Sequence, residues 1–369
     1  MVFQIGASGW LGQPWRPCAC AVCHILPPHM TEEIVKNGNE QERTAALRTL
    51  VASEQFRGRR EMMGALNFAL VVPAGEKRRT IYDAENTTQL PGKLRRGEGD
   101  PATQDVAVDE AYDGAGATFA LFEEVFARNS IDDRGLRLDS TVHYGDRYDN
   151  AFWNGSQMVY GDGDGELFNR FTISVDVIGH ELTHGVTQYE AGLIYYGESG
   201  ALNESMSDVF GIMVKQRLLN QTVEASDWLI GAELLTEKVK GVGIRSMKAP
   251  GTAYDDPVLG KDPQPGHVDD FYTGTADNAG VHINSGIPNR AFYLAAMAMG
   301  GYAWEKAGQI WYIALRDRLR ARANFKRAAK ILVDVAGELY GVGGAEQLAV
   351  QNAWETVGVL TPPKAVPRK

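Results

Sequence analysis

Cysteine is confined to one short stretch of this sequence. All three lie between Cys18 and Cys23, and residues 24–369 contain none. That excludes a disulfide framework and a thiol nucleophile from the main body, which must be held by packing, metal ions or both. No apolar run approaches the roughly 18 residues that a membrane span needs. Basic side chains are in deficit, 37 Lys and Arg against 47 Asp and Glu for a formal charge of -10. Nucleic acid as the main partner would call for a basic face instead. The first residues, Met1 to Ala7, have no basic n-region, and Gln13, Pro14 and Arg16 interrupt any apolar core, so they do not read as a signal peptide. Met30 is an alternative start. What remains is an ordinary globular composition: 369 residues, 44% hydrophobic, without internal repeats or low-complexity tracts. That length suggests two or three structural units with a sizeable core.

Residues 30–63 read as helical and charged, opening at Thr31-Glu32-Glu33, with Ala46, Leu47, Leu50 and Val51 at helical spacing. The basic stretch Arg57-Gly58-Arg59-Arg60 precedes an apolar run from Ala65 to Val72. A breaker-containing link from Pro73 to Arg79 then sets a boundary near Ala74. Val106 to Asn129 carries Ala111, Ala115, Phe119, Phe122 and Phe126 at helical spacing. Short strand-like pieces follow at Thr141–Tyr144, Asn150–Trp153 and Met158–Tyr160, separated by Gly and Asp turns. Beyond Thr172 the pattern is largely helical, and roughly the last eighty residues predict three or four amphipathic helices. The fold class is α+β, a β-containing N-terminal lobe beside a helical C-terminal lobe.

Chemistry concentrates in Val177-Ile178-Gly179-His180-Glu181-Leu182-Thr183-His184-Gly185. Residues four apart share a helix face, so His180 and His184 can present imidazole nitrogens to one ion, with Glu181 near enough to act as a general base. Alone, such a pattern also arises in ordinary helices. A second segment, Gly200-Ala201-Leu202-Asn203-Glu204-Ser205-Met206-Ser207-Asp208, supplies what the first lacks. Catalytic zinc commonly takes three protein ligands, and Glu204 would be the third. Asp208, one turn on, can accept the other ring N–H of a ligating histidine.

Together these motifs, with Tyr189 to Tyr195 between them, resemble the thermolysin family of neutral metalloendopeptidases. Nineteen residues separate His184 from Glu204, the spacing of that family; the related one-zinc aminopeptidases have one fewer. Asp277 to Gly286, Asn150 to Gly155 and Arg245-Ser246-Met247 also match, so the likeness runs from about Thr80 to near the C-terminus.

The resemblance implies zinc ligands at His180, His184 and Glu204, and a base at Glu181 that takes a proton from the attacking water. His282 and Tyr195 match residues that hydrogen-bond the developing oxyanion. Asp277 matches the carboxylate that orients His282, and Asp208 the partner of His180. Asn150, Ala151 and Arg245 correspond to groups binding substrate backbone. Phe168, Phe171 and Val177 match an apolar pocket that favours cleavage before a bulky hydrophobic residue, although each also reads as ordinary core. The paired calcium site of some members departs from the pattern. Lys215, Leu229 and Ala232 replace acidic residues, leaving Asp176 and Asp227 with too few companions for an ion that prefers six or more oxygens. A single calcium site elsewhere stays open.

Cys23-His24-Ile25-Leu26-Pro27-Pro28-His29-Met30 resembles the Pro-Pro motif of the short-propeptide, protealysin-like branch. The expected organisation is an inhibitory pro-segment over residues 1–73, an N-terminal peptidase lobe over 74–188 carrying the HExxH helix, and a helical lobe over 189–369. Cys23 or Cys20 could cap the catalytic zinc until the segment is removed, or these thiols could be unpaired on an arm. Cys18, Cys20, Cys23 and His24 could also form a small zinc site, and Cys20 to His24 fits a C-x-x-C-H haem pattern. The implied activity is that of a monomeric zinc metalloendopeptidase, made as a self-processing zymogen and acting on proteins or peptides, with its pro-segment as intramolecular inhibitor. The family implies secretion, with the cytoplasm as alternative. Two other readings are a catalytically silent binding relative and a zinc aminopeptidase, the second disfavoured by the ligand spacing.

Overall fold

The structure is a computed structural model that describes residues 23–63 and 75–361, with the backbone alone at 23 and over 52–63. Cys18, Cys20, the apolar run from Ala65 to Val72 and the boundary near Ala74 lie outside the described residues. The chain opens with β1 (Cys23–His24), α1 (Pro28–Asn37) and α2 (Glu40–Met63). The span that reads as helical from sequence is helical here, in two pieces divided at Gly38. Asn39 Oδ1 accepts the Gln41 and Glu42 N–H groups at 2.9 and 3.1 Å, and Glu42 Oε2 reaches back to the Asn39 N–H at 2.7 Å. This reciprocal capping starts a second helix.

β2 (Arg79–Asp83), β3 (Lys93–Gly97), α3 (Val106–Ala120), β4 (Leu138–Val142), β5 (Ala151–Trp153) and β6 (Met158–Tyr160) form the N-terminal lobe. Asp105 caps α3 through the Ala107 and Val108 N–H groups. The six-stranded sheet has the order β1-β5-β6-β4-β2-β3, with β2, β4 and β6 mutually parallel and the other pairings antiparallel. Every residue of β5 and β6 is buried. β1 adds the sheet edge, so the N-terminal segment is part of the lobe it covers.

α4 (Val175–Tyr189) and α5 (Gly197–Leu218) form the centre. β7 (Leu229–Ile230), β8 (Arg245–Ser246), β9 (Asp255–Asp256) and β10 (Gly260–Lys261) are short hairpin pieces, followed by α6 (Ala276–Asn284). Four further helices, α7 (Gly286–Met299), α8 (Ala307–Ile313), α9 (Phe325–Tyr340) and α10 (Ala345–Thr356), complete the helical lobe, in line with the predicted three or four. α4 and α5 approach closely because glycines meet where they cross. A Cβ on Gly211 would lie 2.4 Å from the Asp176 carbonyl oxygen, and one on Gly179 would lie 3.1 Å from Gly211 Cα. One apolar core runs through both lobes and takes in Ile25, Leu26, Met30 and Ile34 of the N-terminal segment. No described helix is long and apolar enough to cross a membrane.

Candidate active site

α4 buries both faces, and His180, Glu181 and His184 point into the seam with α5. The His180 and His184 Nε2 atoms lie 3.0 Å apart, and Glu204 of α5 brings Oε2 to 3.4 Å from His180 Nε2 and Oε1 to 3.5 Å from His184 Nε2. Two ring nitrogens aimed at each other, with a carboxylate closing the triangle, form a donor set suited to a small cation. The buried Glu204 Oε2 has no hydrogen-bond partner. These three residues can hold a metal ion, and a His₂Glu set suits zinc.

Each histidine is oriented from behind. His180 Nδ1 donates to Asp208 Oδ1 at 2.7 Å, and His184 Nδ1 to Asn203 Oδ1 at 2.9 Å, which leaves both Nε2 atoms toward the ion position. Asp208 is itself gripped by Arg245 through two 2.8 Å bonds and by Asn289 Nδ2 at 2.8 Å. Burial works against its charge, yet Arg245 and His180 hold its carboxyl at about 2. Burial lowers His184 to about 3, so this imidazole is neutral, as a ligand must be. Glu204 is held well below the usual carboxylate range: burial opposes its charge, but the facing His282 imidazolium outweighs it.

Glu181 is wholly buried. Its Oε2 accepts the Trp153 N–H at 3.0 Å, while Oε1 has no partner. Burial, against the pull of His180, pushes its carboxyl up to about 8. On the far side, His282 Nδ1 donates to Asp277 Oδ1 at 2.6 Å, and the His282 N–H to Asp277 Oδ2 at 2.8 Å. Asp277 reaches back because residues 277–280 turn left-handed, with φ of 54°, 49°, 63° and 79°. Such geometry at non-glycine positions is unfavourable and clusters at functional sites. Tyr195 Oη donates to Glu204 Oε1 and lies 3.0 Å from His282 Nε2.

The cleft between β5 and this cluster is filled by the chain itself. β1 pairs antiparallel with β5, Cys23 opposite Trp153 and His24 opposite Phe152. The Ile25 N–H donates to the Ala151 carbonyl at 3.3 Å and the Leu26 N–H to Asn150 Oδ1 at 3.0 Å. Arg245 Nη1 donates to the Ile25 carbonyl at 3.0 Å, and His282 Nε2 to the His24 carbonyl at 2.9 Å. A ring that donates from both nitrogens is an imidazolium. Asp277 and Glu204 raise His282 to about 9 despite its burial.

Residues 70–188 match the thermolysin metallopeptidase catalytic domain, and residues 191–359 match its alpha-helical domain. The chain belongs to the thermolysin metallopeptidase family. It is 53% identical to the extracellular metalloprotease of Pectobacterium carotovorum subsp. carotovorum, over 92% of this chain and 96% of that one. It is 50% identical to protease PrtS of Photorhabdus sp. (strain Az29), over 91% of each. Among solved structures it resembles the precursor of protealysin, a metalloproteinase from Serratia proteamaculans, at 54% identity and a TM-score of 0.85, covering 92% of this chain and 100% of that one.

This thermolysin-like metallopeptidase is therefore a zinc enzyme. Of the sequence-derived site residues, the structure gathers the metal-binding three with Glu181, Asp208, Arg245, Tyr195, Asp277 and His282, and sets Asn150 and Ala151 on the opposite cleft edge. Phe168, Phe171 and Val177 are wholly buried in the shared core. Sequence reasoning missed Asn203, Asn289 and the Trp153 amide; Asn203 alone had a signal, its place in the second motif. The Cys23 backbone lies in β1, and its side chain, like Cys18 and Cys20, is outside what the structure describes. Lys215 Nζ lies 3.0 Å from Asp227 Oδ2 and 3.4 Å from Asp176 Oδ2, an ammonium lodged between the two carboxylates. A second cluster, Asp83, Asp105 and His143, also brings potential ligands together. There His143 already bonds Asp162 and Asp105, and these carboxylates raise it to about 9, so a protonated ring supplies the cation.

Proposed function

We propose that this metallopeptidase is a secreted, monomeric endopeptidase whose residues 1–73 form an inhibitory pro-segment, removed by self-processing, ahead of a 74–188 lobe and a 189–369 lobe. The observation that carries this reading is the docking of residues 24–26. The main-chain groups a peptide substrate would offer are taken up by Asn150, Ala151, Arg245 and His282.

In the proposed mechanism, His180, His184 and Glu204 hold the zinc. When bound, the ion supplies Lewis acidity toward the scissile carbonyl and the attacking water. Glu181 takes a proton from that water and passes it to the leaving nitrogen. His282, kept cationic by Asp277, donates to the carbonyl oxygen as negative charge develops there, with the Tyr195 hydroxyl beside it. Asp208 fixes the His180 tautomer, and Arg245 ties this support to the substrate strand. Asn150 and Ala151 align the peptide. Phe168, Phe171 and Val177 supply an apolar wall for the residue after the cut, where burying a large side chain contributes about 1.5–3 kcal/mol.

The test compares intact masses of the purified chain and its Glu181→Gln variant after zinc loading. Loss of the segment up to about Ala74 in the first alone supports the reading, and full-length chains in both refute self-processing. An internally quenched peptide with a blocked N-terminus then separates endopeptidase from aminopeptidase, since only the former cuts it.

A further inference from the structure

The N-terminal segment runs through the cleft in one direction and one register, and both are fixed by its sequence. Antiparallel pairing of β1 with β5 sets the direction. The register is set by where donors end: Ile25 and Leu26 each give an N–H to β5 or its flank, whereas Pro27 and Pro28 have none to give. A one-residue slip that moved Pro27 to Asn150 would remove the segment's bond to the buried Asn150 Oδ1 and leave that oxygen only the Ala151 N–H. Pro28 then starts α1, which is anchored by His29 Nε2 at 3.0 Å from the Tyr254 hydroxyl and by buried Met30 and Ile34. Upstream, the His24 ring meets Phe152 edge-on at 5.4 Å.

In this register one peptide bond stands apart. The carbonyl of His24 receives the His282 imidazolium, and the nitrogen of the same bond, that of Ile25, faces the Ala151 carbonyl. The next carbonyl is held by Arg245. A plug that merely blocked the cleft would need neither this direction nor a carbonyl on the oxyanion donor.

We infer that the His24–Ile25 bond is itself a substrate of the site, cut within the docked segment, separately from any cut near Ala74. This rests on the peptidase reading above. Water oxygen bonds to the His24 carbonyl carbon as the C–N bond to Ile25 breaks. Both water protons move in turn through Glu181 to the Ile25 nitrogen, leaving a carboxylate on His24 and a protonated amine on Ile25. The cut alone does not free the cleft. Ile25, Leu26 and α1 keep their bonds to Asn150 and Arg245 and their place in the core, so the clipped chain remains blocked until the rest of the segment leaves.

Mass spectrometry with N-terminal sequencing over a zinc-loading time course tests this. A chain beginning at Ile25 is expected from the parent, with its formation at least about a hundredfold slower in Glu181→Gln. In Ile25→Asp, which puts a charge into the core, that species should vanish. In metal-free Glu181→Gln protein, hydrogen exchange should show the Leu26 amide protected, with protection falling about tenfold or more when Ile25→Asp is added. If the processed enzyme hydrolyses a quenched peptide but no chain starting at Ile25 ever forms, the inference is overturned and the peptidase reading stands. If neither cleavage occurs, both fall. A species starting at Ile25 at equal rate in Glu181→Gln also overturns the inference, because the cut is then not the chain's own.

Discussion

Replacing Lys215 with methionine tests whether an internal ammonium holds the joint between α4, α5 and β7. Lys215 is 4% exposed and also donates to the Leu229 carbonyl at 3.3 Å. Burial pushes the Asp176 carboxyl up to about 6, with Lys215 pulling the other way. Methionine keeps the apolar stem and removes the charge, so Asp176 must stay ionised unpaired or take a proton. The second route caps its share: protonating an acid of pKa about 6 at pH 7 costs about 1 kcal/mol. Losing the hydrogen bonds of a charged donor adds about 1–3 kcal/mol. The expected loss at pH 7 is thus about 2–4 kcal/mol, near the range for breaking a buried ion pair. The sign with pH follows. Asp176 titrates higher folded than unfolded, so ionising it erodes stability as pH rises above its unfolded value of 3.8. In the variant that erosion extends above pH 6, and the difference from the parent narrows at pH 5. Thermal unfolding at pH 5 and 7, in a Glu181→Gln background to prevent autolysis, measures it. Adding Asp176→Asn should recover at least half of the loss. A single variant within about 0.5 kcal/mol of its parent at pH 7, or a double variant no better than the single, refutes the reasoning.

Three further outcomes are expected. Asp208→Asn, which slackens His180 and strands Arg245, should weaken zinc binding about 10–100-fold in competition with a chelator. In metal-free protein, Glu181→Gln should be more stable than the parent at pH 8 and close to it at pH 5. Burial raises the parent carboxyl to about 8, so the parent loses stability as pH climbs from its unfolded value toward 8, and the amide has no such slope; melting curves at both pH values decide. Cys23→Ser should leave the precursor as latent as the parent in a quenched-peptide assay, because the segment is held by main-chain bonds to Asn150, Ala151, Arg245 and His282.

What could be read from sequence was local. His180 and His184 share a face of one helix, and Glu204 and Asp208 share another, so both halves of the metal site show as spacing. Short strands such as Met158–Tyr160 show as apolar runs between turns. What joins distant positions left no such mark. The pairing of Cys23 with Trp153, the Asn289 bond to Asp208 and the Trp153 amide on Glu181 depend on packing that no periodicity encodes. The left-handed turn at 277–280 was hidden because Asp277, Asn278 and Ala279 are not obligate turn formers. Lys215 was legible as a basic residue where the resemblance implies an acidic one, but not as the cation between Asp176 and Asp227.

The glycine crossing of α4 and α5 has a consequence for descent. Gly211 cannot accept even a methyl group without displacing the Asp176 carbonyl, so the two helices that carry the donor set are inherited as one unit whose spacing has nowhere to drift. The cleft is walled from other parts of the chain, by β5, against which the segment pairs, and by Arg245 of β8. New preferences among targets can therefore accumulate along those walls, lineage by lineage, while the inherited chemistry stays the same.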